Sequence, residues 1–146
     1  MDEITSSISA ISKVLSNNDA GKSGSHQAGI LIPRQKDILA FFPELDSGQK
    51  NPFRMLVFID EKGLRWEFKF IYYNNRFFDG TRNEFRLTRM TGYIREKNLK
   101  SGDEIVLAKD EQRKYHISYQ IEKHAINDTP GTIILGSGWK IRKFKR

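Results

Sequence analysis

Residues 65–73 read RWEFKFIYY, and this stretch decides the fold. Aromatic side chains at every second position alternate with charged ones, which is the pattern of a β-strand with one buried face. On the N-terminal side, residues 53–60 are apolar on both faces, as in a central strand, and residues 61–63 predict the turn between the two. From this point the sequence indicates a mainly β protein.

Further strands and short helices are predicted in the rest of the chain. Residues 34–42 predict a short helix that Pro43 ends, and residues 93–99 predict one or two helical turns. The first twenty residues are ambiguous, because their apolar residues have helical spacing while residues 10–16 also fit a short strand. The remaining predicted strands are 28–33, 84–89, 105–108, 113–121 and 132–144.

The strand count predicts a mostly antiparallel β-barrel or sandwich of about seven strands. The strands follow one another at short, regular spacing, with no internal repeat or domain boundary between them. We therefore expect residues 1–146 to form a single domain. In the strand at 113–121 we expect four apolar side chains to point inward, namely Tyr115, Ile117, Tyr119 and Ile121.

Composition indicates the class of protein and of partner. The net charge is +7, and basic proteins attract polyanions. The chain has no cysteine, which excludes disulfides and thiolate metal sites and fits a reducing, intracellular setting. The N-terminal residues lack the basic and apolar regions of a secretion signal, and no apolar run is long enough to cross a membrane. We expect a globular domain with a polyanionic partner and no membrane contact.

The segment at 72–89, YYNNRFFDGTRNEFRLTR, predicts contact with nucleic acid. Arg and Asn side chains cluster there among aromatic residues, with Glu84 between them. Arg reads guanine edges and grips phosphates, Asn reads adenine, and a carboxylate accepts from the cytosine amino group. The alternative is a polar barrel loop whose Arg residues form surface ion pairs.

Residues 20–23, Ala-Gly-Lys-Ser, resemble the end of a nucleotide-binding phosphate loop. That loop needs an earlier glycine, where this chain has Ser16, and a helix directly after it. A polar, glycine-rich stretch and a short strand follow instead, so we interpret the segment as a flexible loop. Its glycines would allow close approach to nucleic acid, and its donors would be Lys22, Ser23, Ser25, His26 and Gln27.

Asp60, Glu67 and Lys69 offer an enzymatic alternative. Carboxylates followed by a lysine form the core of many metal-dependent nucleases, in which the carboxylates hold Mg²⁺ and the lysine orients water. However, Glu and Lys two residues apart are also common on a solvent-facing strand, and we favour that interpretation. The three histidines are isolated from one another in the sequence, so we expect no metal site, no cofactor and no catalytic residue.

Two of these segments together closely resemble the N-terminal effector-binding domain of EcoRII-type restriction endonucleases. The first is 18–29, NDAGKSGSHQAG, followed by Ile32 and Pro33, and the second is 72–76 with 81–89. They occur in the same order and at similar separation. The resemblance implies a B3-like fold: a mainly β, seven-stranded open pseudobarrel with two short α-helices, which grips the DNA major groove between two arms.

The resemblance also implies which residues contact DNA. The N-arm is 22–27, with Lys13 on the strand before it, and the C-arm is 73–86. This chain departs from the relative at Gly80 and Phe85, where the relative carries lysines. The implied DNA-contacting residues are Lys13, Lys22, Ser23, Gly24, Ser25, His26, Gln27, Tyr73, Asn74, Asn75, Arg76, Thr81, Arg82, Asn83, Glu84 and Arg86.

The partner that the resemblance implies is double-stranded DNA with a site of the CCWGG type, bound without a cofactor. Residues 1–146 would be a non-enzymatic recognition domain of a larger type II restriction endonuclease, whose catalytic nuclease domain lies elsewhere in the full-length protein. The resemblance places that protein in the cytoplasm of a prokaryotic cell. A transcription-factor-like or RNA-binding β-barrel module is the alternative binding function.

Overall fold

In a computed structural model of the chain, eight β-strands form one sheet. The structure describes residues 8–20, 29–122 and 138–144. The elements in chain order are β1 (Ile8–Val14), β2 (Ile30–Ile32), α1 (Lys36–Leu39), β3 (Phe53–Ile59), β4 (Arg65–Tyr73), β5 (Glu84–Thr88), α2 (Thr91–Glu96), β6 (Glu104–Lys109), β7 (Tyr115–Gln120) and β8 (Trp139–Phe144), with a 3₁₀ turn at Asn75–Phe77.

The strand order across the sheet is β2-β5-β4-β3-β7-β6-β1-β8. Neighbouring strands are antiparallel except β3 and β7, which pair in parallel over two residues. The ambiguous N-terminal segment is a strand, because β1 pairs with both β6 and β8. The prediction of a mainly β protein with two short helices is confirmed, with eight strands rather than seven.

The alternation at 65–73 builds the core. Phe68 and Phe70 of β4 are buried, whereas Arg65 and Glu67 on the other face are exposed. Rings from neighbouring elements pack on the buried face, and Phe42 after α1 stacks on Phe70 with 4.5 Å between ring centroids. Such aromatic contacts add to the stabilisation from burial. The inner face of the sheet therefore packs into the core, and the outer face of β4 carries the charged side chains of Arg65 and Glu67.

Two details differ from the sequence-based expectation. The helix expected at 34–42 is shorter, since α1 covers only Lys36–Leu39 and turns follow it. Ile121 was expected to point inward, but this was wrong: β7 ends at Gln120, and the Ile121 side chain is 54% exposed. Residues 132–137 of the expected last strand lie outside the described residues. Within the described ranges, the helices are all too short to span a membrane.

A side-chain hydrogen bond joins the two edge strands of the sheet. Trp139, the first residue of β8, is 8% exposed, and its indole Nε1 donates to the carbonyl oxygen of Leu31 in β2 at 3.0 Å. The strands β2 and β8 are at opposite ends of the sheet order. The sheet therefore curls until its edges meet at this contact, as in an open pseudobarrel.

Replacing Trp139 by Phe should destabilise the protein by about 1–2 kcal/mol, because the Leu31 carbonyl then loses its donor while an aromatic ring is retained. Urea unfolding followed by far-UV circular dichroism measures the change. A free energy of unfolding within ~0.5 kcal/mol of the wild-type value, the range of an ordinary surface substitution, would contradict the importance of this contact.

Candidate nucleic-acid interface

The β4–β5 hairpin presents polar side chains on the outer face of the sheet. Tyr73 lies directly opposite Glu84, and Ile71 lies opposite Arg86. Directly opposite residues in an antiparallel pair point to the same face, and successive residues alternate between faces. Because Leu87 of β5 is fully buried in the core, Glu84 and Arg86 must point outward.

Aromatic stacking fixes the inner side of the same hairpin. Phe85 stacks on Tyr72 with 4.1 Å between ring centroids and an interplanar angle of 5°. The Tyr72 hydroxyl donates to Asn83 Oδ1 at 2.6 Å, and Arg34 Nη2 donates to the Asn83 carbonyl at 2.9 Å. Phe85, one of the departures from the resemblance, therefore packs half-buried against the core. No sequence pattern marks Arg34 as part of the site, because it lies 49 positions from its partner.

On the outer face, Glu84 holds two arginines. Its Oε2 accepts from Arg82 Nη2 at 2.7 Å and from Arg86 Nε at 2.7 Å. The Arg82 guanidinium also lies over the ring of Tyr73, with 3.7 Å from Cζ to the ring centroid. The side chains of Arg82, Glu84 and Arg86 are 45%, 30% and 21% exposed. We call Arg82, Glu84 and Arg86 the arginine–glutamate triad.

The triad stays charged and carries an excess of positive charge. Partial burial alone would raise the pKa of Glu84, but the hydrogen bonds and charges of Arg82 and Arg86 outweigh it and hold that pKa below its ordinary value. Two cations against one anion leave one positive charge on this exposed face. Planar guanidinium groups held in fixed positions can form bidentate contacts with guanine or with phosphate.

Two backbone hydrogen bonds stabilise the connection between β4 and β5. The backbone N–H of Arg76 donates to the carbonyl of Arg82 at 2.9 Å, and that of Gly80 donates to the carbonyl of Asn75 at 2.6 Å. A Cβ at Gly80 would lie 2.9 Å from Asn75 Cγ, so any larger residue would displace the Asn75 side chain. This close approach accounts for glycine at the second departure from the resemblance.

Sequence comparison identifies the family. Residues 4–129 match the sequence profile of the family described as restriction endonuclease EcoRII, N-terminal. The chain belongs to this family.

Plant auxin response factors share part of the sequence with this chain. Auxin response factor 10 of Oryza sativa subsp. indica is 30% identical over 115 residues, which cover 78% of this chain and 15% of that protein. Auxin response factor 4 of Arabidopsis thaliana is 28% identical over 122 residues, covering 84% of this chain and 14% of that protein. The chain thus spans about 15% of the length of these relatives.

Two solved structures show the same fold as this chain. One is the Arabidopsis FUS3–DNA complex, with a TM-score of 0.60 and 22% identity, covering 77% of this chain and 96% of that one. The other is the B3 domain of the UbaLAI restriction endonuclease with cognate DNA, with a TM-score of 0.58 and 20% identity, covering 97% and 89%. The fold is therefore that of a B3-like pseudobarrel, as the resemblance implied.

Asn74 requires a correction. It was expected to contact DNA, but its side chain is fully buried. Its Nδ2 donates to the carbonyls of Ser47 and Gln49 at 3.2 and 2.7 Å, and its Oδ1 accepts from the backbone N–H of Asn51 at 2.6 Å. Asn74 therefore anchors the C-arm to the loop before β3, and its polar groups are all used inside the protein.

Lys13 is also engaged inside the protein. Its ammonium forms an ion pair with Asp19 at 2.9 Å and donates to the Val14 carbonyl at 2.9 Å, and the side chain is 9% exposed. A DNA contact by Lys13 would require this ion pair to break, so the structure does not support one.

The other expected contact residues divide into four groups. Tyr73, Asn83, Glu84 and Arg86 are partly exposed, and Arg76, Thr81 and Arg82 are exposed. Asn75 Oδ1 is buried without a hydrogen-bond partner. The N-arm lies outside the described residues, so its contacts stay predictions, namely those of Lys22, Ser23, Gly24, Ser25, His26 and Gln27.

Asp60, the first residue of the nuclease alternative, has a structural position. It is 5% exposed, and its Oδ1 accepts from the backbone N–H groups of Lys62 and Leu64. Its Oδ2 accepts from Trp66 Nε1 at 2.9 Å and pairs with Lys97 at 3.2 Å. The described residues contain no cluster of three side chains suited to a metal ion. Asp60 Oδ1 therefore serves the turn between β3 and β4, and Oδ2 holds the side chains of Trp66 and Lys97.

Lys69, another residue of that alternative, covers an exposed ring. Its Nζ lies 4.2 Å from the centroid of the Phe53 ring on the adjacent strand, and Glu67 beside it is exposed. These contacts match the favoured interpretation of Glu67 and Lys69 as residues of a solvent-facing strand.

Asp60→Asn should cost about 2 kcal/mol of stability at neutral pH, because it weakens the hydrogen bonds that the carboxylate accepts and removes one of the two carboxylates, Asp60 and Glu61, that pair with the buried Lys97. Burial alone would raise the pKa of Asp60, but the hydrogen bonds from Trp66, Leu64, Lys62 and Lys97 hold it well below its ordinary value. The stability from Asp60 is therefore present above its unfolded pKa and is lost as the pH falls toward the folded pKa.

Urea unfolding of wild type, Asp60→Asn and the exposed control Glu67→Gln at pH 7 and pH 3 checks both points. The loss on acidification should be smaller in Asp60→Asn than in wild type or in the control. Equal losses in all three proteins would contradict a structural role for the Asp60 charge.

Proposed function

We propose that this domain binds double-stranded DNA in a sequence-specific way, with the arginine–glutamate triad on the outer face of β4 and β5 directed into the major groove. The observation that carries the proposal is the triad itself. It combines fixed guanidinium donors and a carboxylate acceptor on an exposed face with one net positive charge. These are the groups that read guanine and cytosine edges.

The spacing of the triad residues along β5 would allow them to contact more than one base pair. Glu84 and Arg86 are two residues apart, a rise of about 6.6 Å along the strand. Successive base pairs are separated by about 3.4 Å along the duplex, so the two side chains match roughly two steps. A site of the CCWGG type offers neighbouring G·C pairs, with guanine O6 and N7 for arginine and cytosine N4 for Glu84.

The remaining positive charge supplies affinity that does not depend on sequence. Lysine and backbone contacts to phosphates set the position of a protein on DNA and the dependence of binding on salt. We assign this role to the N-arm, 22–27, with the C-arm, 73–86, on the other side of the groove. The two similar solved structures support the choice of partner, since one is a FUS3–DNA complex and the other a B3 domain with cognate DNA.

The match to the EcoRII N-terminal family supports a proposal for the full-length protein. We propose that the domain is the recognition module of a restriction endonuclease in a prokaryotic cytoplasm, and that a separate nuclease domain of the full-length protein cuts the DNA. In this proposal the domain has no catalytic residue of its own and needs no cofactor.

Arg82→Ala should reduce the preference for a CCWGG-type duplex over a scrambled duplex by roughly 5- to 150-fold, the loss of one bidentate base contact. Fluorescence anisotropy with labelled duplexes at fixed, moderate salt measures both affinities. Arg95→Ala, an exposed arginine of α2, is the matched control and should keep the wild-type preference. Equal binding of both duplexes by the wild-type protein would contradict the proposed function.

Glu84→Ala should act in opposite directions on the two duplexes. Binding to the CCWGG-type duplex should weaken, because Arg82 and Arg86 lose their common acceptor and the cytosine amino group loses its partner. Binding to scrambled DNA should strengthen slightly, because a negative charge near phosphates is removed.

The same anisotropy assay tests this, with Glu96→Ala in α2 as the control for the charge change alone. If Glu84→Ala strengthened binding to both duplexes equally, Glu84 would contribute only repulsion, and its role in discrimination would be refuted.

A further inference from the structure

Leu31 exposes an apolar side chain on the outer face of the edge strand β2. It is 43% exposed, while its neighbours Ile30 and Ile32 in β2 are each 1% exposed. The alternation of a strand thus directs Leu31 outward and its two neighbours into the core.

The strand register places Leu31 beside the triad. Leu31 lies directly opposite Arg86 in the antiparallel pairing of β2 with β5. Side chains in this relation share a face, with about 4.5–5.5 Å between their Cβ atoms. Leu31 is therefore the cross-strand neighbour of an arginine that we propose reads a base.

The other apolar residues of the same row are either buried or farther from Arg86. Across β4, Arg86 lies opposite Ile71, which is 5% exposed, and Ile71 lies opposite Phe53 of β3. Phe53 is 51% exposed, but it lies two strands away from Arg86, and its ring is contacted by the ammonium of Lys69. Leu31 combines exposure with a position next to Arg86.

The backbone holds Leu31 in place. Its carbonyl accepts the indole hydrogen bond of Trp139 at 3.0 Å. Two residues earlier, Gly29 approaches β5 so closely that a Cβ there would lie 2.8 Å from the Cα of Thr88. With β2 fixed at both points, the Leu31 side chain stays on the outer face.

The major groove offers one kind of apolar group at a base edge, the C5-methyl of a pyrimidine. We infer that Leu31 contacts such a methyl group on the base pair next to the one read by Arg86, an inference that rests on the proposed function. The methyl belongs either to thymine or to 5-methylcytosine. Leu31 is then a specificity-determining residue that reads by apolar contact beside a residue that reads by hydrogen bonds.

Uracil in place of thymine removes only the C5-methyl and tests this directly. Wild-type protein should bind a CCWGG-type duplex with all thymines replaced by uracil about fourfold more weakly, the value for one buried methylene-sized group. Leu31→Ala should bind the two duplexes equally. Leu64→Ala is the control, since Leu64 is 53% exposed at the far end of β4 from Tyr73, and it should behave like wild type.

A duplex with 5-methylcytosine distinguishes the source of the methyl. If methylation of cytosine changes wild-type binding several-fold but leaves Leu31→Ala unaffected, while uracil has no effect, the contact is to 5-methylcytosine. Identical ratios for wild type and Leu31→Ala on all these duplexes would overturn the inference while the preference for CCWGG-type DNA remained. Loss of that preference in the wild type would overturn the proposed function and this inference together.

Discussion

The antiparallel register of β4 with β5 is the constraint on which both the core and the proposed binding face depend. Phe85 lies opposite Tyr72 and Leu87 opposite Phe70, so the inner face of the pair is aromatic and aliphatic. A slip of one residue would turn Leu87 to solvent and Arg86 into the core, because the side-chain period of a strand is two. An unpaired charge in the core is costly, so the same burial that stabilises the barrel also fixes the outward direction of the triad.

The triad holds two arginines close together in fixed positions, which is the arrangement that the proposed function requires. Two neighbouring guanidinium groups repel each other, and free arginine side chains lose conformational entropy when they bind. Glu84 accepts from both Arg82 and Arg86, and the Tyr73 ring supports Arg82, so these groups are held in place before any partner arrives. A carboxylate near phosphates is unfavourable unless it accepts a hydrogen bond from the DNA, and in the proposed complex a cytosine amino group donates that bond. Glu84 thus orders the arginines, and under the proposed function it also opposes binding to the wrong sequence.

The sequence predicted the parts of the structure that depend on local pattern. The alternation at 65–73 indicated β4 and its buried face, and the cluster at 72–89 indicated where charged and amide groups would meet on one hairpin. Positions set by distant contacts were not predictable in this way. Asn74 is polar and lies in the arm, yet it is buried because carbonyls some 25 positions away need its donors. Asp60 was open to a metal-binding interpretation because nothing in its own segment shows that Lys97 lies against it.

The most direct test of DNA binding through the triad is an NMR titration of the arginine Nε–H signals of the ¹⁵N-labelled chain with a CCWGG-type duplex. We expect the signals of Arg82 and Arg86 to shift and saturate together at one duplex concentration, while the signal of Arg95 in α2 stays in place. A titration in which Arg95 shifts and the two triad arginines do not would show that DNA meets another face of the barrel, and would contradict binding through the triad.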